Sequence, residues 1–406
     1  MISFLGIAAI IGIAILFSTN PRAIRPRIVL SAFALQASVA VLVLYVPAGK
    51  AAVETLSTGV QALLGFSSAG INMVFGPLAS IDNIGFSFAV HVLPIVIFFS
   101  ALMSVLYHLG VMQWIVRGVG GLIRRLLGTE SVESLNAAAN MFVGQTESPL
   151  MVRPYLSRLT EPQLFAIMVS GLASVAGTVL AAYAQMGIRI DYLLAASIMA
   201  APGGLLMAKL LMPDEPAAAG EPRIVPVLEM AEQKEVNVIL AAANGARDGL
   251  KLAVNIGAML LAFVALIALV NGVLGGLGGV AGIEQLTMQS ILGFIFAPIM
   301  FLLSVPWAEA QIAGALFGEK LILNEFVAYL HLAEIAGELS PRTEAVVTFA
   351  LCGFANISSI AILLGGLGTL IPDKRDLIAR FGLRAVAAAS LSNLMSAALA
   401  SLLIGL

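Results

Sequence analysis

Apolar runs long enough to cross a bilayer recur along the whole chain, at 2–18, 29–47, 85–108, 164–186, 192–212, 252–274, 346–371 and 385–406. A crossing helix needs roughly 20 such residues. Within hydrocarbon every backbone N–H and C=O must be paired by the chain itself, which restricts a spanning segment to a helix or a strand of a closed barrel. Unbroken runs of this length read as helices. Only 11% of the 406 residues are charged and 60% are hydrophobic, against about 25% charged in soluble domains. The reading is one integral-membrane domain, 1–406, all-α, with about eight transmembrane helices. A weaker apolar stretch at 294–305 is read as interfacial or part of a re-entrant element.

The basic residues set the expected orientation, because loops rich in Lys and Arg stay in the cytoplasm. Arg22, Arg25 and Arg27 follow the first span, and Arg117, Arg124 and Arg125 follow the third. Arg223, Lys234, Arg247 and Lys251 lie between the fifth and sixth, and Lys374, Arg375 and Arg380 before the last. Placing these loops inside puts both termini outside. Residues 49–82 are too mixed to span and predict an external amphipathic helix and loop. Residues 110–128 suit a helix lying on the membrane surface. Residues 213–226, rich in Pro, Ala and Glu, predict a linker, and 235–247 an amphipathic lead into the sixth span. The first run lacks a basic stretch before it and a small-residue cleavage site after it, so it is not read as a signal peptide.

Two stretches resemble each other across the halves. Gly144-Gln145-Thr146-Glu147-Ser148-Pro149 precedes Ser170-Gly171-Leu172-Ala173-Ser174-Val175-Ala176-Gly177, and Asn324-Glu325-Phe326-Val327-Ala328-Tyr329 precedes Cys352-Gly353-Phe354-Ala355-Asn356-Ile357-Ser358-Ser359. Ionisable groups are expensive in a bilayer and mark a substrate or ion path by default. Ser148-Pro149 reads as a helix start, with Ser at the cap and Pro in the first turn. A helix ending near Val143 would leave Gly144–Glu147 as a non-helical tip, so 134–159 predicts a re-entrant hairpin. Thr160 and Gln163 predict a capping box for the next span. The second hairpin is expected as 306–323, a tip at Asn324-Glu325, and 326–336, followed by another cap pair at Ser340-Pro341. Three spans separate the hairpins, so they enter from opposite faces, the inverted-repeat plan of secondary transporters. The spans after each hairpin carry small and polar residues at Ser174–Gly177 and Asn356–Ser359, where unwinding is expected.

The chemistry offered is two carboxylates, Glu147 and Glu325, with Gln145, Thr146, Asn356, Ser358 and Ser359, and no basic residue in either motif. A phosphate or carboxylate ligand would be repelled. A neutral polyhydroxylated ligand fits, since carboxylates accept from paired hydroxyls and amides both donate and accept. A cationic amine also fits the charge. Glu325 could instead be an interfacial residue, with Glu319 and Lys320 beside it, and Ser and Asn in spans often serve only as packing contacts. Asn140, Ser174 and nearby carbonyls offer oxygen ligands to a hard cation.

At these motifs the chain resembles the concentrative nucleoside transporters. The resemblance runs on through Phe349-Ala350-Leu351-Cys352-Gly353-Phe354-Ala355-Asn356, Ile357-Ser358-Ser359-Ile360 and Leu364-Gly365-Gly366-Leu367, and covers most of the chain. It looks like the bacterial eight-span form. The resemblance implies a homotrimer in the bacterial inner membrane, importing nucleosides such as uridine and adenosine with a cation gradient by alternating access. It implies base-side contacts from Gln145, Thr146 and Glu147, ribose contacts from Glu325, Asn356 and Ser359, and apolar contacts from Phe354 and Val179. It also implies a Na⁺ site at Asn140 and Ser174 with the carbonyls of Val143 and Val175, which favours Na⁺ over H⁺ as coupling ion, with no other cofactor. The scaffold is expected in 1–128 and 234–278, transport repeat one in 129–212 and repeat two in 285–406.

Rival classes lack their signatures. An intramembrane enzyme would need a nucleophile, a metal cluster or an Asp-rich motif. His91, His108 and His331 are scattered, and Cys352 is the only cysteine, so no Cys-based zinc site or disulfide framework is expected. No basic tract exists to hold nucleic acid. A channel remains the alternative to a coupled carrier, and an organic-cation carrier the alternative to a nucleoside carrier.

Overall fold

The computed structural model describes residues 2–214, 235–282 and 286–404. Among these every regular element is a helix. Most of the linker expected at 213–226, and with it Arg223 and Lys234, lies outside the described residues.

The chain opens with α1 (Ile2–Leu16), α2 (Pro26–Leu44) and α3 (Pro47–Phe75). The helix and loop expected at 49–82 appear as one unbroken 29-residue helix to Phe75, followed by a 3₁₀ turn at Gly76–Ala79. With the turn that follows it, this segment is also long and apolar enough to cross a membrane by length and composition, and its polar residues Lys50, Glu54, Gln61, Ser68 and Asn72 recur along one face, as an amphipathic helix requires. α4 (Leu93–His108) follows, then α5 (Val111–Leu127), which starts and ends at Gly110 and Gly128, both in the left-handed region. α5 has the surface-helix pattern expected of it: Met112, Val116, Gly120, Ile123 and Leu127 are buried along one face, while Arg117, Arg124 and Arg125 are exposed.

The first hairpin comprises α6 (Ser131–Ala139), a non-helical stretch, one α turn, α7 (Ser148–Met151), and a 3₁₀ segment, Arg153–Arg158. The incoming limb ends four residues earlier than Val143. Ser148 does not cap its own helix: its hydroxyl donates to Asn140 Oδ1 at 2.7 Å, across the hairpin. The Thr160–Gln163 capping box forms as expected. The next span breaks into α8 (Glu161–Ala173) and α9 (Gly177–Gln185), and α10 (Ile190–Leu211) completes the first series. α11 (Val238–Ala281) is a single 44-residue helix, so the amphipathic lead and the sixth span are continuous.

The same series then recurs. α12 (Met288–Leu302), holding most of the doubtful 294–305 stretch, turns by 117° into α13 (Trp307–Ile322). Gly293, Gly314 and Gly318 let the two pack together: a Cβ on Gly314 would lie 2.8 Å from Ala297 N. The tip and α14 (Glu325–Glu334) follow, capped by Asn324, whose side chain accepts from Val327 N. Ser340 caps α15 (Pro341–Leu351) as expected. The break after α15 is wider than Asn356–Ser359, starting at Cys352, and Ser358 already belongs to α16 (Ser358–Gly365). α17 (Arg375–Ile404) ends the chain. The protein is therefore an all-α membrane protein with two re-entrant hairpins in inverted repeats.

Burial sorts centre from periphery. The most apolar windows of α8–α9 and α10 are 89% buried, against 17% for α11. α4 packs along α11 where Gly245 and Gly249 admit Ser104, Ser100 and Ile97, and Ser104 Oγ donates to Ala241 O at 2.7 Å. α1 and α2 are tied to α17 through Ser3–Ser401 (3.2 Å) and Gln36–Ser396 (3.0 Å).

Candidate functional site

The two unwound segments meet at the centre of the molecule. Phe354 N donates to Ser174 O at 3.1 Å, joining the two breaks. Gly353 has no room for a side chain, since a Cβ there would sit 2.4 Å from Asn393 Oδ1 and 2.8 Å from Ala173 O. Gly171 plays the matching part in the first repeat, where a Cβ would fall 2.8 Å from Gln145 Cβ. The glycine of each motif thus admits a close neighbour: the hairpin tip in the first repeat, the other broken span in the second.

Beside this junction lies a cavity of about 750 Å³. One wall is the two hairpin tips and the broken spans; the other is α4, from Ser100 to Tyr107, and α11, from Gly245 to Leu260. Gln145, Thr146, Glu147, Val179, Glu325, Phe354, Asn356 and Ser359 all line it. Of the residues expected at the ion site, Val143 lines it too, whereas Asn140, Ser174 and Val175 are buried behind it.

Glu325 is the most constrained group. Its Oε1 accepts from Tyr183 OH and its Oε2 from Asn356 Nδ2, each at 2.9 Å. Asn356 Oδ1 in turn accepts from Ser358 Oγ (2.7 Å) and Ser359 N (2.8 Å), capping the start of α16. A carboxylate has about four lone-pair positions, so two remain for a ligand. Glu147, by contrast, is open to the cavity. Glu325 is not interfacial, for its neighbours Glu319 and Lys320 are 1% and 0% exposed.

The buried oxygens of the first hairpin suit a hard cation. Asn140 Oδ1 lies 3.8 Å from where a Cβ of Gly171 would be, and Ser174 Oγ donates to Gly171 O at 3.2 Å, so both converge on Gly171. The carbonyls of Val143 and Val175 lie in non-helical backbone and accept no backbone hydrogen bond. Asn140 Oδ1 already accepts from Ser148 Oγ, and its buried Nδ2, a donor, has no partner; Gln145 Oε1 is an orphaned buried oxygen at the first tip. Among the described residues no group of His, Cys, Asp and Glu has metal-site geometry; His331 is paired with Glu319 at 2.8 Å and His91 with the backbone of Ser87.

Several cavity or support residues escape the sequence reading. Tyr183, Lys320 and Asn393 are buried polar groups inside apolar helices, the signal that marked the two glutamates, yet they stand outside the paired motifs. Arg153 and Asp248 also line the cavity, so its wall is not free of basic residues as the motifs alone suggested.

Three family models match the chain: one described as Na+ dependent nucleoside transporter N-terminus over residues 5–78, one as Nucleoside recognition over 89–189, and one as Na+ dependent nucleoside transporter C-terminus over 192–401. The Nucleoside permease NupC of Helicobacter pylori is 47% identical over 416 residues, covering 100% of this chain and 98% of the relative. An uncharacterized transporter of Haemophilus influenzae is 52% identical, with the same coverage. CNTnw in an inward-facing substrate-bound state superposes with a TM-score of 0.94 at 49% identity, covering 100% of this chain and 97% of that one. A CNTnw variant in an outward-facing state gives 0.93 at the same identity and coverage.

Proposed function

The chain belongs to the concentrative nucleoside transporter family, whose members are membrane transporters and not enzymes, and on that premise we propose that it is a Na⁺-coupled symporter importing nucleosides by alternating access. The observation that carries this reading is the Glu325 carboxylate, held by Tyr183 and Asn356 with lone pairs to spare beside the cavity. A ribose offers adjacent hydroxyl donors to such a carboxylate. Gln145, Thr146 and Glu147 face the base from the first tip, Ser359 joins Glu325 and Asn356 at the ribose, and Phe354 and Val179 give apolar contact. Two carboxylates lining the cavity, with amide and hydroxyl neighbours, suit a neutral nucleoside better than a nucleotide, whose phosphates Glu147 and Glu325 would repel.

Asn140, Ser174 and the carbonyls of Val143 and Val175 would hold Na⁺, and the ion would supply positive charge beside the first tip and a link to the cation gradient. All four groups are oxygen donors at a helix break, the kind of ligand set a hard cation takes. Both cavity walls from α4 and α11 come from the ends nearest the basic stretches Arg117–Arg125 and Arg247–Lys251. With those in the cytoplasm of an inner-membrane homotrimer, both termini are periplasmic and the cavity is open inward. Repeats 129–212 and 285–406 then move against segments 1–128 and 234–278.

Uptake of radiolabelled uridine and adenosine into proteoliposomes tests this. Concentrative uptake is expected with an imposed Na⁺ gradient alone. Accumulation driven only by H⁺ would discard the ion site, and none under either gradient, in folded protein, would discard nucleoside symport.

A further inference from the structure

Lys320 is the least expected group in the molecule. It lies on α13 of the second hairpin, is 0% exposed, and makes no ion pair with a carboxylate among the described residues. The other fully interior lysine is treated in the opposite way: Lys209 is paired with both Glu133 and Asp214 at 2.5 Å. A buried, unpaired ammonium is strongly disfavoured unless dipoles replace its lost water. The dipoles are identifiable. Lys320 Nζ donates to Ala350 O and to Asn393 Oδ1, each at 2.7 Å. Ala350 lies in the last turn of α15, where carbonyls have no partner within the helix and the helix dipole is negative. Asn393 Nδ2 donates at 2.8 Å to Ala173 O, the last residue of α8, and to Cys352 O, just beyond α15. The ammonium therefore sits where the broken ends of both repeats converge.

The two repeats differ at this place. Lys320 is five residues before Glu325; five residues before Glu147 stands Phe142, and the first hairpin from Ser131 to Glu147 contains no Lys or Arg. There the end of its incoming limb and the break after α8 present instead the oxygens of Asn140 and Ser174. Half-helix ends of this kind attract cations in either repeat. We propose that Lys320 is a tethered cation at the half-helix end of the second repeat, filling with a permanent side chain the role that an exchangeable ion fills in the first. The inference rests on the Na⁺ reading for the first repeat and extends it: a single exchangeable ion accompanies each nucleoside, because the second position is already occupied by the chain.

The test is uridine binding by calorimetry to the purified full chain in lipid nanodiscs, across Na⁺ concentrations. The unaltered protein should show a Hill slope in Na⁺ of about 1. Lys320→Ser, which removes the ammonium and leaves an oxygen and space, should bind uridine about tenfold or more weakly at low Na⁺, with a slope of about 2, and should recover with added methylammonium. Lys320→Met, with an apolar side chain of similar length, should bind weakly at every Na⁺ concentration. Unaltered uridine affinity in folded Lys320→Met would overturn the assignment. So would a weakened Lys320→Ser protein whose slope stays unchanged and which ignores methylammonium, since that is a merely structural loss. If Lys320→Ser does not fold, the unaltered protein still decides: two Na⁺ per uridine overturns the proposal and one supports it. If uridine binding in the unaltered protein ignores Na⁺ altogether, the ion site of the first repeat is lost, and the methylammonium response of Lys320→Ser then judges Lys320 alone.

Discussion

Glu325 shows how far a single residue can be placed by its partners. Its carboxylate is buried, yet two donors fix both oxygens and leave the remaining lone pairs aimed by geometry rather than by chance. Hydrogen bonds to a charged group are worth about 1.5–3 kcal/mol each. Glu325→Gln keeps the shape but removes the charge and leaves a single acceptor oxygen, so paired ligand hydroxyls lose half of their acceptor. Uridine uptake by that variant is expected to fall below detection while the protein still assembles and elutes normally; normal transport would sink the ribose assignment. Tyr183→Phe removes only the hydroxyl, and the aromatic packing against Phe326 and Tyr329 stays. Its uridine affinity is expected to weaken by about 1.5 kcal/mol, roughly tenfold, and its melting temperature to fall, because a hydrogen bond to a buried carboxylate is lost. The motif repeat exposed Glu325 and Asn356 in the sequence. Tyr183 was hidden because nothing in a linear pattern says that a tyrosine in one repeat will reach a glutamate in the other.

At the scale of elements, the helix breaks carry the design. Each hairpin tip and each broken span leaves carbonyls and N–H groups without helical partners, and the structure answers them with cross-repeat bonds such as Phe354 N to Ser174 O and Asn393 to Ala173 O. Close approach is what makes those bonds reachable, and Gly353 permits it. Gly353→Ala forces a Cβ to within 2.8 Å of the Ala173 carbonyl, a backbone atom that cannot swing aside. Overpacking of this kind typically costs about 1–3 kcal/mol, so a lower melting temperature in detergent is expected, together with impaired uridine binding. A melting temperature equal to that of the unaltered protein would show that the junction is looser than described. Cap residues made several element boundaries readable: Thr160 and Ser340 cap as their sequence context predicts, while Asn324, read only as part of the tip, caps its helix as well. The exceptions are instructive. Ser148 has the same context but spends its hydroxyl on Asn140, so the first hairpin unwinds earlier than a cap rule predicts.

At the scale of the whole molecule, the position of the cavity defines a state. The cavity is bounded by α4 and α11 on one side and by the hairpin tips on the other, so any relative movement of those two sides changes its access. Asp248 stands on the α11 wall, is largely exposed, and is set near Arg247 and Lys251. Cys352, the only native cysteine, is buried, which makes background labelling low. Asp248→Cys is expected to react with a membrane-impermeant thiol reagent applied from the cytoplasmic side and to be protected by excess uridine. Labelling from the periplasmic side alone would reverse the orientation read from the basic loops.

The sequence by itself determined the class of fold, because hydrocarbon admits only self-paired backbone, and it determined the repeat, because two rare polar motifs in an apolar chain cannot be accidental packing. It also located both tips, both breaks and the motif residues that line one side of the cavity, since a glutamate at mid-span has few inert explanations. Tertiary structure alone decided which groups share those sites. The Tyr183 bond to Glu325, the cluster of Lys320 with Asn393 and Ala350, and the α4–α11 wall all join residues far apart in the chain. Hydrophobic periodicity and capping act over a few residues and leave a trace in sequence; contacts between distant helices depend on how whole elements cross, which no local pattern encodes.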